Sequence, residues 1–192
     1  MLGLQSLLIE ITSGDDDRAQ KALQPLIKFG EDAISELGKL LTDSSADNRW
    51  WAIRALVEFS EVDITDYLLQ GLEDSDIAVQ QCAALALRQR PDSYAIPELI
   101  DLLDHHDRLL ARLAADALTA IGKRSTQSLI TVIEKGTQAA RLEAVRSLAA
   151  ICDQEAVSIF YKLLEDDSQI IQYWAEEGLK NLGLGMAFFL PT

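Results

Sequence analysis

At 192 residues, with 48% apolar and 25% charged side chains, the chain has the composition of one or two ordinary folded domains. Its 31 acidic against 17 basic side chains give a formal charge of −14, the opposite of what neutralising phosphates requires. The charge argues against nucleic acid and against an anionic membrane surface as partners.

The first residues, MLGLQSLLIEI, are apolar but lack a basic leader and a small-residue cleavage site. No run of eighteen uncharged apolar residues occurs, so no membrane span is expected and the reading is cytoplasmic. Cys82 and Cys152 lie far apart and read as reduced thiols. With only 10 Gly and 4 Pro, long regular elements and short connections are expected.

One period organises the chain. Leu26, Leu56, Leu87, Leu118, Leu148 and Leu179 recur every 30 or 31 residues. Four residues before each stands an alanine, which shares its helix face. Eleven before stands a helix-capping type, and fifteen before an Ile or Leu.

In chain order, repeat one (residues 1–29) has a first helix through Leu4, Leu7 and Ile11, the cap Asp15, and a second helix through Ala22 and Leu26. Pro25 interrupts that second helix, so a kinked or shortened element is expected. Repeat two (30–60) has Ile34, Leu37 and Leu41, then Ser45, Ala52 and Leu56. Repeat three (61–91) has Thr65, Leu68 and Leu72, then Asp76, Ala83 and Leu87. Repeat four (92–122) has Ile96, Leu99 and Leu103 with Pro97 in a first turn, then Asp107, Ala114 and Leu118. Repeat five (123–152) has Thr126, Leu129 and Ile133, then Thr137, Ala144 and Leu148. Repeat six (153–183) has Val157, Phe160 and Leu164, then Ser168, Ala175 and Leu179. Gly30 and Gly122 follow second helices, where a left-handed residue is expected. The tail 184–192 holds Met186, Phe188, Phe189 and Leu190, read either as a cover for the last repeat or as a hook for a partner or second copy. The apolar spacing is helical throughout, and pairs of this kind bury their faces only by stacking in series. The expectation is one all-α domain over 1–192, a solenoid of about six helix pairs.

The segments LEDSDIAVQQCAALAL and LDHHDRLLARLAADALTAIG resemble the short HEAT-like repeat named after phycobilisome lyases. The resemblance covers roughly residues 4–183. It implies a right-handed, armadillo-like α-α superhelix with the second helices lining its concave side. Members include adaptors, assembly proteins and proteins that attach or remove bilins. A di-iron hydroxylase branch is marked by His-Glu pairs, but His105 and His106 have no adjacent glutamate.

Rotation at about 100° per residue puts four columns of each second helix farthest from the core: nine, six and two before the leucine and one after. They bring forward Trp50, Arg54, Leu85, Arg88, Arg112, Asp116, Leu142, Arg146, Tyr173 and Glu177 as partner-binding candidates. The columns together sum to +1, a near-neutral face with arginines and aromatics, as protein-binding patches have. Trp50 either anchors a partner or folds back on Trp51, and the arginines either pair internally or meet partner carboxylates. Arg49 and Arg141 sit nearer the core and are expected to brace adjacent repeats, whereas Trp51, Cys82, Leu113 and Trp174 flank and pack.

No Walker loop, GxSxG elbow or HExxH helix occurs. His105 and His106 with Asp104 and Asp107 form a metal set on paper, but Asp107 is needed as a cap, so a solvated turn is expected. No catalytic residue, metal or cofactor is assigned. The leading expectation is a non-catalytic scaffold binding a protein or peptide on its second-helix face, with homo- or hetero-association through the tail. The alternative is a phycobilin-lyase-like or pigment-chaperone subunit acting with a partner array.

Overall fold

The computed structural model describes residues 3–184. Twelve α-helices run in antiparallel pairs among them: α1 (Leu4–Ile11) with α2 (Asp16–Leu26), α3 (Gly30–Leu40) with α4 (Ala46–Leu56), α5 (Thr65–Leu72) with α6 (Ile77–Gln89), α7 (Ile96–Asp101) with α8 (Arg108–Ile121), α9 (Thr126–Lys135) with α10 (Gln138–Ile151), and α11 (Val157–Leu163) with α12 (Gln169–Asn181). The chain divides into two compact units, one ending at Arg90 and one starting at Pro91. Within the first, α4 packs on α2 and α6; within the second, α10 packs on α8 and α12. None of the described helices is long and apolar enough to cross a membrane.

The repeating columns are the core. All six second-helix leucines and all six alanines are buried, as are Leu7, Leu37, Leu68, Leu99, Leu129 and Phe160 on the first helices. Each fully buried leucine contributes about 1.5–3 kcal/mol, so the stacking of pairs holds together helices too short to persist alone. Leu164 alone in its column is only half-buried. The last pair matches its partners in size. Phe160 stands where the other repeats have leucine, and Gly178 stands where most have alanine or serine. A methyl on Gly178 would meet the Phe160 ring at 2.5 Å.

Four of the six expected caps form: Asp15, Asp76, Asp107 and Thr137 accept backbone N–H groups of their helices. Ser45 and Ser168 make no side-chain cap, correcting that expectation. An aspartate two residues earlier closes the turn, Asp43 accepting the Ser45 N–H at 2.8 Å and Asp166 that of Ser168 at 3.0 Å, as Asp74 does for Asp76, which caps its helix as well. Pro25 stands in the last turn of α2, which ends at Leu26 and continues as a short 3-10 turn. Helix α4, without a proline, has the same 11 residues and ends at the equivalent Leu56, so the expected shortening is not seen. Gly30 and Gly122 have positive φ, as does Gly183. The equivalent place after α10 is held by Cys152 at φ 55°, a left-handed conformation that costs a side-chain-bearing residue about 1–2 kcal/mol.

Candidate partner-binding face

The four outward columns are half-buried or exposed at every repeat except Ala149, which is buried. In the first unit, Trp50 on α4 is half-buried and meets Trp51 edge-on, with ring centroids 4.9 Å apart. It folds back on its neighbour yet still lines a cleft of about 630 Å³. The cleft runs across the starts of the second helices, with Asp16, Asp17 and Gln20 from the α2 end, Asp47 from α4, and Asp76 and Ala78 where α6 begins. Trp51 is 5% exposed and packs as expected, beside buried Cys82, whose thiol donates toward the Trp50 carbonyl. Burial pushes that thiol up to about 12, so it stays protonated and unreactive at neutral pH. Farther along the face, Arg54 is tied to Glu58 at 2.5 Å, and Gln24 reaches the same carboxylate at 2.8 Å. Leu85 is 39% exposed, and Arg88 is exposed with no ion pair among the described residues.

In the second unit the candidates answer one another. Arg146 on α10 binds Asp116 on α8 at 2.9 Å and Glu143 at 3.1 Å, while Arg112 on α8 reaches Glu143 at 3.4 Å. Leu142 is half-buried beside this network, and Tyr173 on α12 is half-exposed, edge-on to Trp174 at 5.3 Å. Glu177 holds Lys180 at 3.1 Å. Three of the four candidate arginines therefore pair internally, leaving Arg88.

Glu143 was missed. It occupies the flank column of Trp51, Cys82, Leu113 and Trp174, and a charge among such residues was the signal available. The bracing role expected for Arg49 and Arg141 is present in full. Arg49 forks onto Asp74 of the next repeat with two bonds of 2.7 Å and donates to the Asp43 carbonyl. Arg141 holds Asp166 of the next repeat and the Ile133 carbonyl. The Arg49 fork holds the Asp74 carboxyl below the usual carboxylate range, against the opposing pull of burial. The same contact raises the Arg49 guanidinium above its ordinary value. Arg90 was also missed; it donates to the carbonyls of Phe59 and Val62 and closes the loop after α4.

The two histidine rings lie 4.1 Å apart between centroids, tilted by 38°, Asp107 caps α8, and Asp104 accepts the Thr137 hydroxyl. No cluster of three or more metal-binding side chains is present among the described residues. The tail positions Met186, Phe188, Phe189 and Leu190 lie outside them.

Residues 65–136 match the family described as HEAT repeats, and residues 140–166 match the PBS lyase HEAT-like repeat. A phycocyanobilin lyase subunit beta from Nostoc sp. is 30% identical over 123 residues, a match spanning 62% of this chain and 60% of that protein. The chain thus matches less than two thirds of this curated relative's length. Among solved structures, the complex of CpcE and CpcF of phycocyanin lyase from Nostoc sp. superposes with a TM-score of 0.57 at 22% identity, covering 95% of this chain and 78% of that one. A designed armadillo repeat protein in complex with the peptide (KR)4 superposes with a TM-score of 0.56 at 20% identity, covering 94% and 100%. At these identities the structural likeness establishes the fold, that of the helical-repeat solenoids.

Proposed function

We propose that this chain, a HEAT-repeat protein of the short PBS lyase HEAT-like class, works as one subunit of a bilin-handling pair, holding a protein partner on the outward faces of its second helices. The observation that carries the reading is the 30% identity to a phycocyanobilin lyase subunit over most of this chain. It favours the lyase-like alternative over a general scaffold. The likeness to the two-array CpcE–CpcF complex supports the expectation of a second array as partner. The faces suit the task chemically: Trp50, Leu85, Leu142 and Tyr173 offer rigid apolar contact, and Arg88 offers a forked donor for a carboxylate. Arg54, Arg112, Asp116, Arg146 and Glu177 already have internal partners, so their part is to hold the face's shape while its apolar members make contact.

The test is reconstitution. The purified chain, a second PBS-lyase-class array, phycocyanobilin and apo-phycocyanin are mixed, and the visible spectrum of the denatured protein reports attached pigment. Attachment or removal that needs both arrays is the expected result, and Trp50→Ala with Tyr173→Ala abolishes it while the far-ultraviolet circular dichroism stays unchanged. An unaltered pigment spectrum, together with two arrays that elute apart, refutes the reading.

A further inference from the structure

We propose that the cleft across the starts of α2, α4 and α6 seats a basic segment of a partner protein, one carrying arginine or lysine about every third residue. Carboxylates from three successive repeats, Asp16, Asp17, Asp47 and Asp76, border the cleft, and Trp50 and Trp51 form its apolar wall. Among the described residues no cation lines it, and Asp16, Asp17 and Asp47 take part in no ion pair. The nearby cations are committed elsewhere: Arg18 to Glu10, Arg49 to Asp74 and Arg54 to Glu58.

Helix stability accounts for Asp76, which caps α6, but the tryptophan wall beside the other three acids has no such role. Acidic residues in a first turn favour the helix dipole, and α3 and α5 carry them too, at Glu31, Asp32 and Asp66. What distinguishes the second helices is the tryptophan-walled concavity, which a stable helix start does not need. Its volume of about 630 Å³ falls in the range of ordinary ligand sites. The carboxylates are not grouped to chelate an ion, since no metal-competent cluster of three exists among the described residues. Spread acids beside an indole suit an extended series of cations, paired by charge and by attraction to the ring. Packed neighbouring helices lie about 8–10 Å apart and an extended chain advances about 3.3–3.6 Å per residue, which sets the spacing of about three residues. The inference needs a basic partner but no pigment, so it stands apart from the bilin chemistry proposed above.

Fluorescence anisotropy of a short labelled peptide with arginine at every third position, titrated with the full chain, tests it. Asp17→Asn with Asp47→Asn weakens binding about five- to tenfold. Asp32→Asn with Asp66→Asn removes the same charge from first turns outside the cleft and changes binding by less than about twofold. Trp50→Leu weakens it roughly threefold, and a glutamate version of the peptide does not bind. Equal losses from both double variants would reveal diffuse attraction to an acidic protein and overturn the proposal. So would indifference to Trp50, or no binding of the arginine peptide at all.

Discussion

The outward columns carry charge in both units but dispose of it differently. In the second unit Arg112, Asp116, Glu143 and Arg146 form one network across α8 and α10, so the surface there is internally satisfied. In the first unit Asp16, Asp17 and Asp47 face a cleft with no cation, beside a half-buried tryptophan. Different columns of one scaffold thus differ in role. Those near the middle of the second helices carry internal pairs in both units, Arg54 with Glu58 included, whereas the acids at the helix starts of the first unit stay without an ion pair among the described residues. Pairing a charge internally removes it from the inventory available to a partner, so what remains unpaired is the better guide to binding.

The largest effect that sharpens this contrast comes from the network. Glu143→Ala strips two arginines of their shared counter-charge and should cost about 2–3 kcal/mol in urea unfolding, whereas Asp47→Asn should stay within about 0.5 kcal/mol. Comparable losses from both would erase the distinction.

Next comes a feature the two units share. Replacing Arg49 by Met removes the fork onto Asp74 and should cost about 2 kcal/mol, as loss of charge-assisted hydrogen bonds does. Because Asp74 has its folded-state value lowered, its contribution is present above its unfolded value of about 4 and is lost as pH falls through the folded value. Unfolding across an acid pH series should therefore be shallower in Asp74→Asn than in the parent, and equal slopes would contradict the assignment.

Smaller again is the packing exchange in repeat six. Gly178→Ala should lose about 1–2 kcal/mol despite alanine's better helix propensity, and adding Phe160→Leu should recover most of it. Additive losses would mean the two positions are not matched. Smallest is Cys152→Gly, which should raise stability by about 1 kcal/mol by relieving the left-handed backbone that glycine occupies after α8 and α12.

Much of the fold was legible because the leucine and alanine columns each record one physical demand six times over, and the cap column does so four times. Four caps, the outward columns and the bracing by Arg49 and Arg141 follow from position alone. The rest was not legible where a side chain's reach or a turn's geometry decides. Ser45 and Ser168 are cap types in sequence, yet their hydroxyls accept no bond from the helix start, which sequence type alone does not show. Glu143 sits on a flank, where rotation about the helix axis does not say that it will collect two arginines. Trp50 was read as either folded back or facing out, and it does both, leaning on Trp51 while lining the cleft. Which arginines stay free depends on partners a repeat away, and only the stacked helices bring those into range.

The contrast between the two units is tested most directly by hydrogen exchange on the full chain with and without the arginine peptide. The account predicts slowed exchange in the first turns of α4 and α6 around Trp50 and Ala78, with α8, α10 and α12 unchanged. Protection on α3 and α5, or spread evenly across the second unit, would contradict it.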